Sequence, residues 1–358
     1  MKEYNIGIIG ATGMVGKKFI SLLKDHPWFK IKVLAASKRS SGKKYREVMS
    51  EKSIEIEDIP EEICDMIVYD ALADAKKIVS MVDFVFCAVN MDKTKTCELE
   101  EMYARLECPV ISNNSANRLK DDIPMMIPEI NPEHSDIIPV QRKRLGTKKG
   151  FIAVKSNCSI QCFVPALHPL FDLGIKNILA CTYQAVSGAG KTLKTWPEMV
   201  DNIIPYISGE EEKSEIEPLK IWGSIENDKI KLNNDIKITT QCIRVPVSDG
   251  HTAAVFASFD KKIDMEDIIY RWDSFKSIAQ ELDLPSAPKK FIHYFDDDSR
   301  PQIKTERNLE NGMAISVGRL RQDNQYDIKF VSMSHNTVRG AAGGAILMAE
   351  LLCIQNYI

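Results

Sequence analysis

The chain has 358 residues, 44% of them hydrophobic, which is enough for two domains with real cores. A net charge of −3 gives no general attraction to nucleic acid or anionic membranes, and no apolar run approaches the roughly 18 residues that span a bilayer. Nine cysteines without regular spacing argue against a disulfide framework and for a reducing cytoplasm, and the scattered histidines make a metal site improbable.

In chain order, Tyr4–Ile9 reads as a buried strand, Val15–Leu23 as an amphipathic helix, and Ile31–Ala36, Val82–Val89 and Pro109–Ser112 as further strands. Apolar strands separated by helical patterns imply a parallel sheet of βαβ units. Glu51–Tyr69 is more acidic and less periodic, and reads as an insertion or edge strand. After a basic stretch at Arg142-Lys143-Arg144, taken as a linker, Gly150–Val154 reads as a strand and Ile160–Leu170 as a helix. The runs Ile178–Val186, Ile236–Val247, Thr252–Phe259, Met313–Leu320 and Ile328–Met333 follow with few helices between them. They predict an α+β domain with a mostly antiparallel sheet. Small residues at Gly340-Ala-Ala-Gly-Gly344 open a helix over Ala345–Ile354 that is expected to return to the first domain. The division predicted is 1–155 for a Rossmann-type dinucleotide-binding domain, completed by 336–358, and 156–335 for a catalytic and dimerisation domain. Cys87, Cys181, Cys242 and Cys353 lie in apolar runs that read as core.

Three patterns carry chemistry. Gly10-Ala-Thr12-Gly13-Met14-Val15-Gly16 follows a strand and opens a helix, where glycines allow a tight turn and close approach to a pyrophosphate. The second strand ends in Ser37-Lys38-Arg39-Ser40 with no acid, which suits the 2′-phosphate of NADP(H) better than the free ribose hydroxyls of NAD. Ser156-Asn157-Cys158-Ser159 places a thiol at the start of an apolar helical run, where a helix N-terminus would lower its pKa. Downstream, Arg244 and His251 stand seven residues apart and offer a carboxylate grip and a proton shuttle.

Taken together with Gln184, Ser187-Gly188, Glu210-x-x-Lys213 and Asn336-Thr-Val-Arg-Gly-Ala-Ala342, these motifs strongly resemble aspartate-semialdehyde dehydrogenase, of the archaeal and fungal branch, nearly end to end. The resemblance implies a reversible, NADP-dependent conversion of aspartate 4-semialdehyde and phosphate to aspartyl 4-phosphate, in lysine, threonine and methionine biosynthesis. It assigns Cys158 as thioester-forming nucleophile and His251 as general acid/base. Gln184 orients the acyl group and Asn157 the nucleophile. Arg244 meets the α-carboxylate, Glu210 the α-ammonium, and Arg118 and Lys213 the phosphate. Ser187, Gly188 and Asn336 line the nicotinamide. Glu210 and Lys213 at i and i+3 also describe an ordinary exposed ion pair. A malonyl-CoA reductase would share the cysteine and hydride chemistry, but its substrate offers no ammonium to Glu210 and no phosphate to Lys213. A non-catalytic NADP-binding protein has no use for an intact Cys158, His251 and Arg244. Small-molecule substrates and a homodimer or homotetramer are expected.

Overall fold

The computed structural model describes residues 3–52, 54–56 and 58–358. Seven strands build the first sheet: β1 (Tyr4–Ile9), β2 (Phe29–Ala36), β3 (Val68–Asp70), β4 (Phe84–Cys87), β5 (Val110–Ser112), β6 (Met125–Met126) and β7 (Ile152–Lys155). Their order is β3-β2-β1-β4-β5-β7-β6 and every pairing is parallel. Both faces of such a sheet are covered, so β4 (Phe-Val-Phe-Cys) is buried at every position rather than at alternate ones. The acidic insertion does supply an edge strand, β3, although Ser53 and Glu57 within it lie outside the described residues.

The sheet runs further along the chain than the composition suggests. Arg142-Lys143-Arg144 is no linker but the last turn of a helix, Ile138–Leu145, closed by Gly146 in the left-handed region. Arg142 donates to the carbonyls of Lys149 and Tyr357 and so ties this helix to the end of the chain. The helix Gly343–Ile354 packs on β5 and β7, and Ile346, Leu347 and Leu351 join Phe84, Phe86 and Phe151 in one core.

The hairpin β9 (Ser224–Glu226) and β10 (Lys229–Lys231) stands apart from a second, six-stranded sheet. That sheet contains β8 (Ile175–Gln184), β11 (Lys237–Arg244), β12 (His251–Phe259), β13 (Ile292–Phe295), β14 (Ile315–Gln322) and β15 (Ile328–Ser334), in the order β11-β8-β12-β15-β14-β13. The three central pairings are antiparallel and the two outer ones parallel. On β12, His251, Ala253, Val255 and Ala257 are buried, while Thr252, Ala254 and Phe256 between them are half-buried. This alternation leaves an outer face carrying Leu179, Cys181, Tyr183, Ala254, Phe256 and Val331. Cys181 is therefore a partly exposed face residue, not core, because the pleat turns it away from Ala180 and Thr182; Cys87, Cys242 and Cys353 are buried.

Candidate active site

The stretch after Cys158 breaks where a continuous helix was expected. It is a single 3-10 turn, Ile160–Cys162, then a one-turn helix Val164–Leu167 and another 3-10 turn His168–Leu173. Pro165 and Pro169 lack the N–H that would continue the ladder, and each opens a new piece. Cys158 thus gains no α-helix dipole. Burial instead pushes its thiol up to about 11, helped by the negative charge of Glu210, while Lys155, Arg118 and Arg244 pull the other way. The helix end that the sequence suggests is not there to lower the thiol; the cations around the sulfur favour thiolate instead.

Residues far apart in sequence converge on this sulfur. His251 opens β12, and its Nε2 lies 3.5 Å from Cys158 Sγ. The Ala185 N–H donates to His251 Nδ1 at 3.1 Å, which leaves Nε2 as the hydrogen-bearing nitrogen of the neutral ring, facing sulfur. Burial pulls His251 down to about 3, and the positive charge of Arg244 adds to the effect, so the ring is neutral at physiological pH. The Ala185 carbonyl in turn accepts from Arg244 Nη1 at 2.6 Å. One residue after β8 therefore orients both the imidazole and the guanidinium through its backbone.

Asn157 is a second hub. Its backbone N–H donates to Glu217 Oε2 at 2.6 Å, and its Nδ2 donates to Glu210 Oε1 at 2.7 Å. Glu210 also accepts from Lys213 Nζ at 2.7 Å. Burial raises the Glu210 carboxyl, but the charge and hydrogen bond of Lys213, with Asn157 and His251, hold it below the ordinary carboxylate range. The i, i+3 pair is thus not a free surface pair: Glu210 is buried against the nucleophile's neighbour while Lys213 is half-exposed. Arg118 donates Nη1 to Glu217 Oε1 at 2.9 Å, Nε to the Lys155 carbonyl at 2.9 Å and Nη2 to the Asn113 carbonyl at 3.1 Å. Of the five N–H donors of a guanidinium, two remain for a ligand.

Gln184 is buried at the end of β8 with Nε2 on Thr182 Oγ1 at 3.2 Å. Asn336 accepts from the Gly250 N–H at 2.7 Å and donates to Ser187 Oγ at 2.9 Å, so one Nδ2 hydrogen stays available for a carboxamide oxygen. Gly188 faces the substrate side as well: a Cβ there would sit 2.9 Å from Arg244 Nη1 and 3.3 Å from His251 Nε2.

The dinucleotide turn lies between β1 and the helix Met14–Leu23. Gly10 has φ +90°, and a Cβ on it would meet the Ala88 carbonyl oxygen at 2.4 Å; one on Gly16 would meet the Gly10 oxygen at 2.3 Å. Only glycine fits positions 10 and 16, while Gly13, which precedes the helix, has no such crowding. Ser37, Lys38 and Arg39 are exposed after β2 and Ser40 is buried; neither cation forms an ion pair among the described residues. Lys52, unremarked in the sequence, donates to Thr12 O at 2.9 Å and to Thr12 Oγ1 at 2.8 Å. Met14 and Val15 open the helix. The glycine cradle and the unpaired cations suit a 2′-phosphorylated dinucleotide.

Two family models match: the semialdehyde dehydrogenase NAD-binding domain over residues 5–138 and the semialdehyde dehydrogenase dimerisation domain over residues 167–339. An aspartate-semialdehyde dehydrogenase of Archaeoglobus fulgidus is 44% identical over 99% of this chain and 100% of its own length. The chain belongs to the aspartate-semialdehyde dehydrogenase family. The Saccharomyces cerevisiae family member is 39% identical over 98% of each chain. The crystal structure of the Candida albicans enzyme with NADP superposes with a TM-score of 0.88 at 36% identity, covering both chains completely. The archaeal and fungal resemblance of the motifs is therefore matched over the whole length. An oxidoreductase fold with an NADP site and a dimerisation domain follows from membership.

Sequence reasoning missed the buried charges behind the site, namely Lys155, Glu217, Lys220 and the Arg339–Glu129 pair. Lys220 donates to the carbonyls of Arg118, Lys120 and Ile123 at 2.7, 2.7 and 2.8 Å and pins the loop that carries Arg118. For Glu217 and Lys220 the only sequence signal is helical spacing, which places Glu210, Lys213, Glu217 and Lys220 toward one side of the Glu210–Ile221 helix; Lys155, Arg339 and Glu129 carry none.

Proposed function

We propose that this chain is an NADP-dependent aspartate-semialdehyde dehydrogenase in which Cys158 is the acyl-carrying nucleophile. The observation that carries the reading is the convergence of Cys158, His251, Arg244, Glu210 and Arg118 around one sulfur, from five separate elements. The cofactor, when bound at the glycine turn, exchanges a hydride with the substrate carbon.

In the biosynthetic direction, the Cys158 sulfur attacks the acyl carbon of aspartyl phosphate and forms a thioester, and phosphate departs toward Arg118 and Lys213. Splitting the reaction this way uses a nucleophile that both attacks and leaves well. Arg244 receives the α-carboxylate in a fork that lysine does not reproduce. Glu210, already ionised, receives the α-ammonium. Asn157 and Gln184 hold the sulfur and the acyl oxygen, and the Nε2–H of His251 supplies a proton to the oxygen that develops charge. Ser187, Gly188 and Asn336 border the nicotinamide, and Gly10, Thr12, Gly13, Met14, Val15 and Gly16 the pyrophosphate. Ser37, Lys38, Arg39 and Ser40 meet the 2′-phosphate. The chain divides at 155/156, with 336–358 returning to the first unit. The half-exposed outer face of the second sheet supports a homodimer or a tetramer of such dimers. Nine cysteines without regular spacing support a reducing cytoplasm.

Phosphate-dependent reduction of NADP⁺ by aspartate semialdehyde tests the reading. We expect activity that requires phosphate and disappears in Cys158→Ser. Activity of the wild type with malonyl-CoA in place of these substrates overturns it.

A further inference from the structure

Lys155, the last residue of β7, is 2% exposed. Its Nζ makes a single hydrogen bond, to the Ser156 carbonyl at 3.0 Å, and no carboxylate lies within ion-pair distance of it among the described residues. A buried ammonium served by one carbonyl is costly unless an anion completes it. The same piece of backbone packs against Lys155 and the nucleophile. A Cβ on Gly340 would lie 2.8 Å from Cys158 Cβ, and one on Gly344 would lie 2.8 Å from Lys155 Cε. Four residues apart, on the π-turn Val338–Ala342 and the first turn of the Gly343–Ile354 helix, the two glycines let one stretch of backbone pack against both side chains, with Lys155 buried behind the partly exposed Cys158.

The other charges around these two side chains are committed. Glu217 pairs with Arg118, and Arg339 is bidentate to Glu129 at 2.5 and 2.6 Å. Glu210 is held by Lys213 and Asn157, and Arg244 by the Ala185 carbonyl. His251 presents Nε2–H to the sulfur, an arrangement that donates to a thiolate but has no lone pair there to accept a thiol proton. Lys155 alone lacks both an anion and a substrate role.

We propose that Lys155 is the resident counter-cation of the Cys158 thiolate, a positioning residue that acts on the nucleophile through charge. The inference rests on Cys158 being the nucleophile of the proposed reaction. The proton balance is internal: the S–H bond of Cys158 breaks, an N–H bond forms on the Lys155 amine, and a neutral thiol–amine pair becomes thiolate–ammonium with no further reactant. Burial draws the amine well below the ordinary lysine range, and the positive charge of Arg118 adds to this; the thiol is drawn up, so the two groups lie closer in proton affinity than free lysine and cysteine.

The test is the pH profile of Cys158 alkylation by iodoacetamide, followed on the Cys158-containing peptide by mass spectrometry, in wild type, Lys155→Met and Lys155→Arg. We expect Lys155→Met to react at least about tenfold more slowly at neutral pH, equivalent to a thiol pKa raised by one unit or more. The rates should converge in alkali, and Lys155→Arg should fall between the two. Superimposable profiles for wild type and Lys155→Met overturn the proposal. Should Lys155→Met fail to fold, Lys155→Gln is read by the same alkylation profile: slowing at neutral pH supports the proposal, and a profile superimposable on wild type overturns it. Alkylation needs no substrate, so loss of the proposed dehydrogenase reading with an intact Lys155 effect is a separate, distinguishable result.

Discussion

Gly188 shows how tightly single side chains are fitted around the sulfur. Its missing Cβ leaves room for both Arg244 Nη1 and His251, and a methyl there would stand 2.9 Å from the guanidinium. The guanidinium is anchored on the Ala185 carbonyl and has little freedom to retreat. Gly188→Ala should therefore lower kcat/KM for aspartate semialdehyde by roughly 10²-fold through misplaced substrate. NADPH affinity, read by fluorescence titration, should change far less. Equal losses in both would mean that the loop as a whole has moved. At the cofactor end, Arg39 is exposed and unpaired, so Arg39→Ala removes charge without creating a cavity. It should weaken NADPH by about tenfold, near the strength of one charge-assisted hydrogen bond, and leave NADH binding unchanged. A parallel loss of NADH would remove Arg39 from the 2′-phosphate.

The Glu210–Ile221 helix organises the site more than its sequence discloses. Glu210 and Lys213 meet the substrate side, Glu217 joins the Asn157 N–H to Arg118, and Lys220 holds three carbonyls of the loop that follows Arg118. Three carbonyls around one nitrogen are all served only by an ammonium, although burial pulls Lys220 down to about 7. Lys220→Met should leave those acceptors without a partner and cost about 3 kcal/mol of stability, read as a lower urea midpoint. It should also raise KM for phosphate through Arg118; an unchanged phosphate KM would sever the loop from the site. What was legible beforehand follows the same physics. The glycine turn, the Cys158 tetrad, Arg244 and His251 stand out because strand-turn-helix context and local spacing expose them. Lys155, Glu217 and Lys220 do not, because charged residues default to solvent and nothing local says that a distant loop or carboxylate will enclose them. The break after Cys158 was written in Pro165 and Pro169, yet an apolar run of that length overrode those signals. The roles of Ala185 were beyond reach: its backbone, not its side chain, orients His251 and Arg244.

For the whole molecule, three buried histidines and the half-buried His168 set the response to acid. Burial lowers His134, His168 and His335 to about 4 and His251 to about 3. His134 shows why the neutral ring is built in. Its Nδ1 accepts from Asn131 Nδ2 at 3.0 Å while its Nε2 donates to the Gly223 carbonyl at 3.1 Å, and the Asn131 oxygen is already taken by the Ile127 N–H at 2.8 Å. A proton on Nδ1 would face a donor. In the unfolded chain these rings titrate near 6.5, so below that pH the unfolded state binds protons that the fold refuses. Stability is then fully present above about pH 6.5 and falls as pH drops toward about 4. Each ring contributes up to roughly 1.4 kcal/mol per pH unit, so the four together approach about 5 kcal/mol per unit near pH 5. That slope is comparable with the entire stability of an ordinary domain. The urea midpoint should therefore hold steady from about pH 8 to 7 and collapse between about pH 6 and 5, and His134→Gln should remove about a quarter of the slope. A midpoint unchanged between pH 7 and 5 would mean that these rings protonate in place, and that the fold opens around them without unfolding.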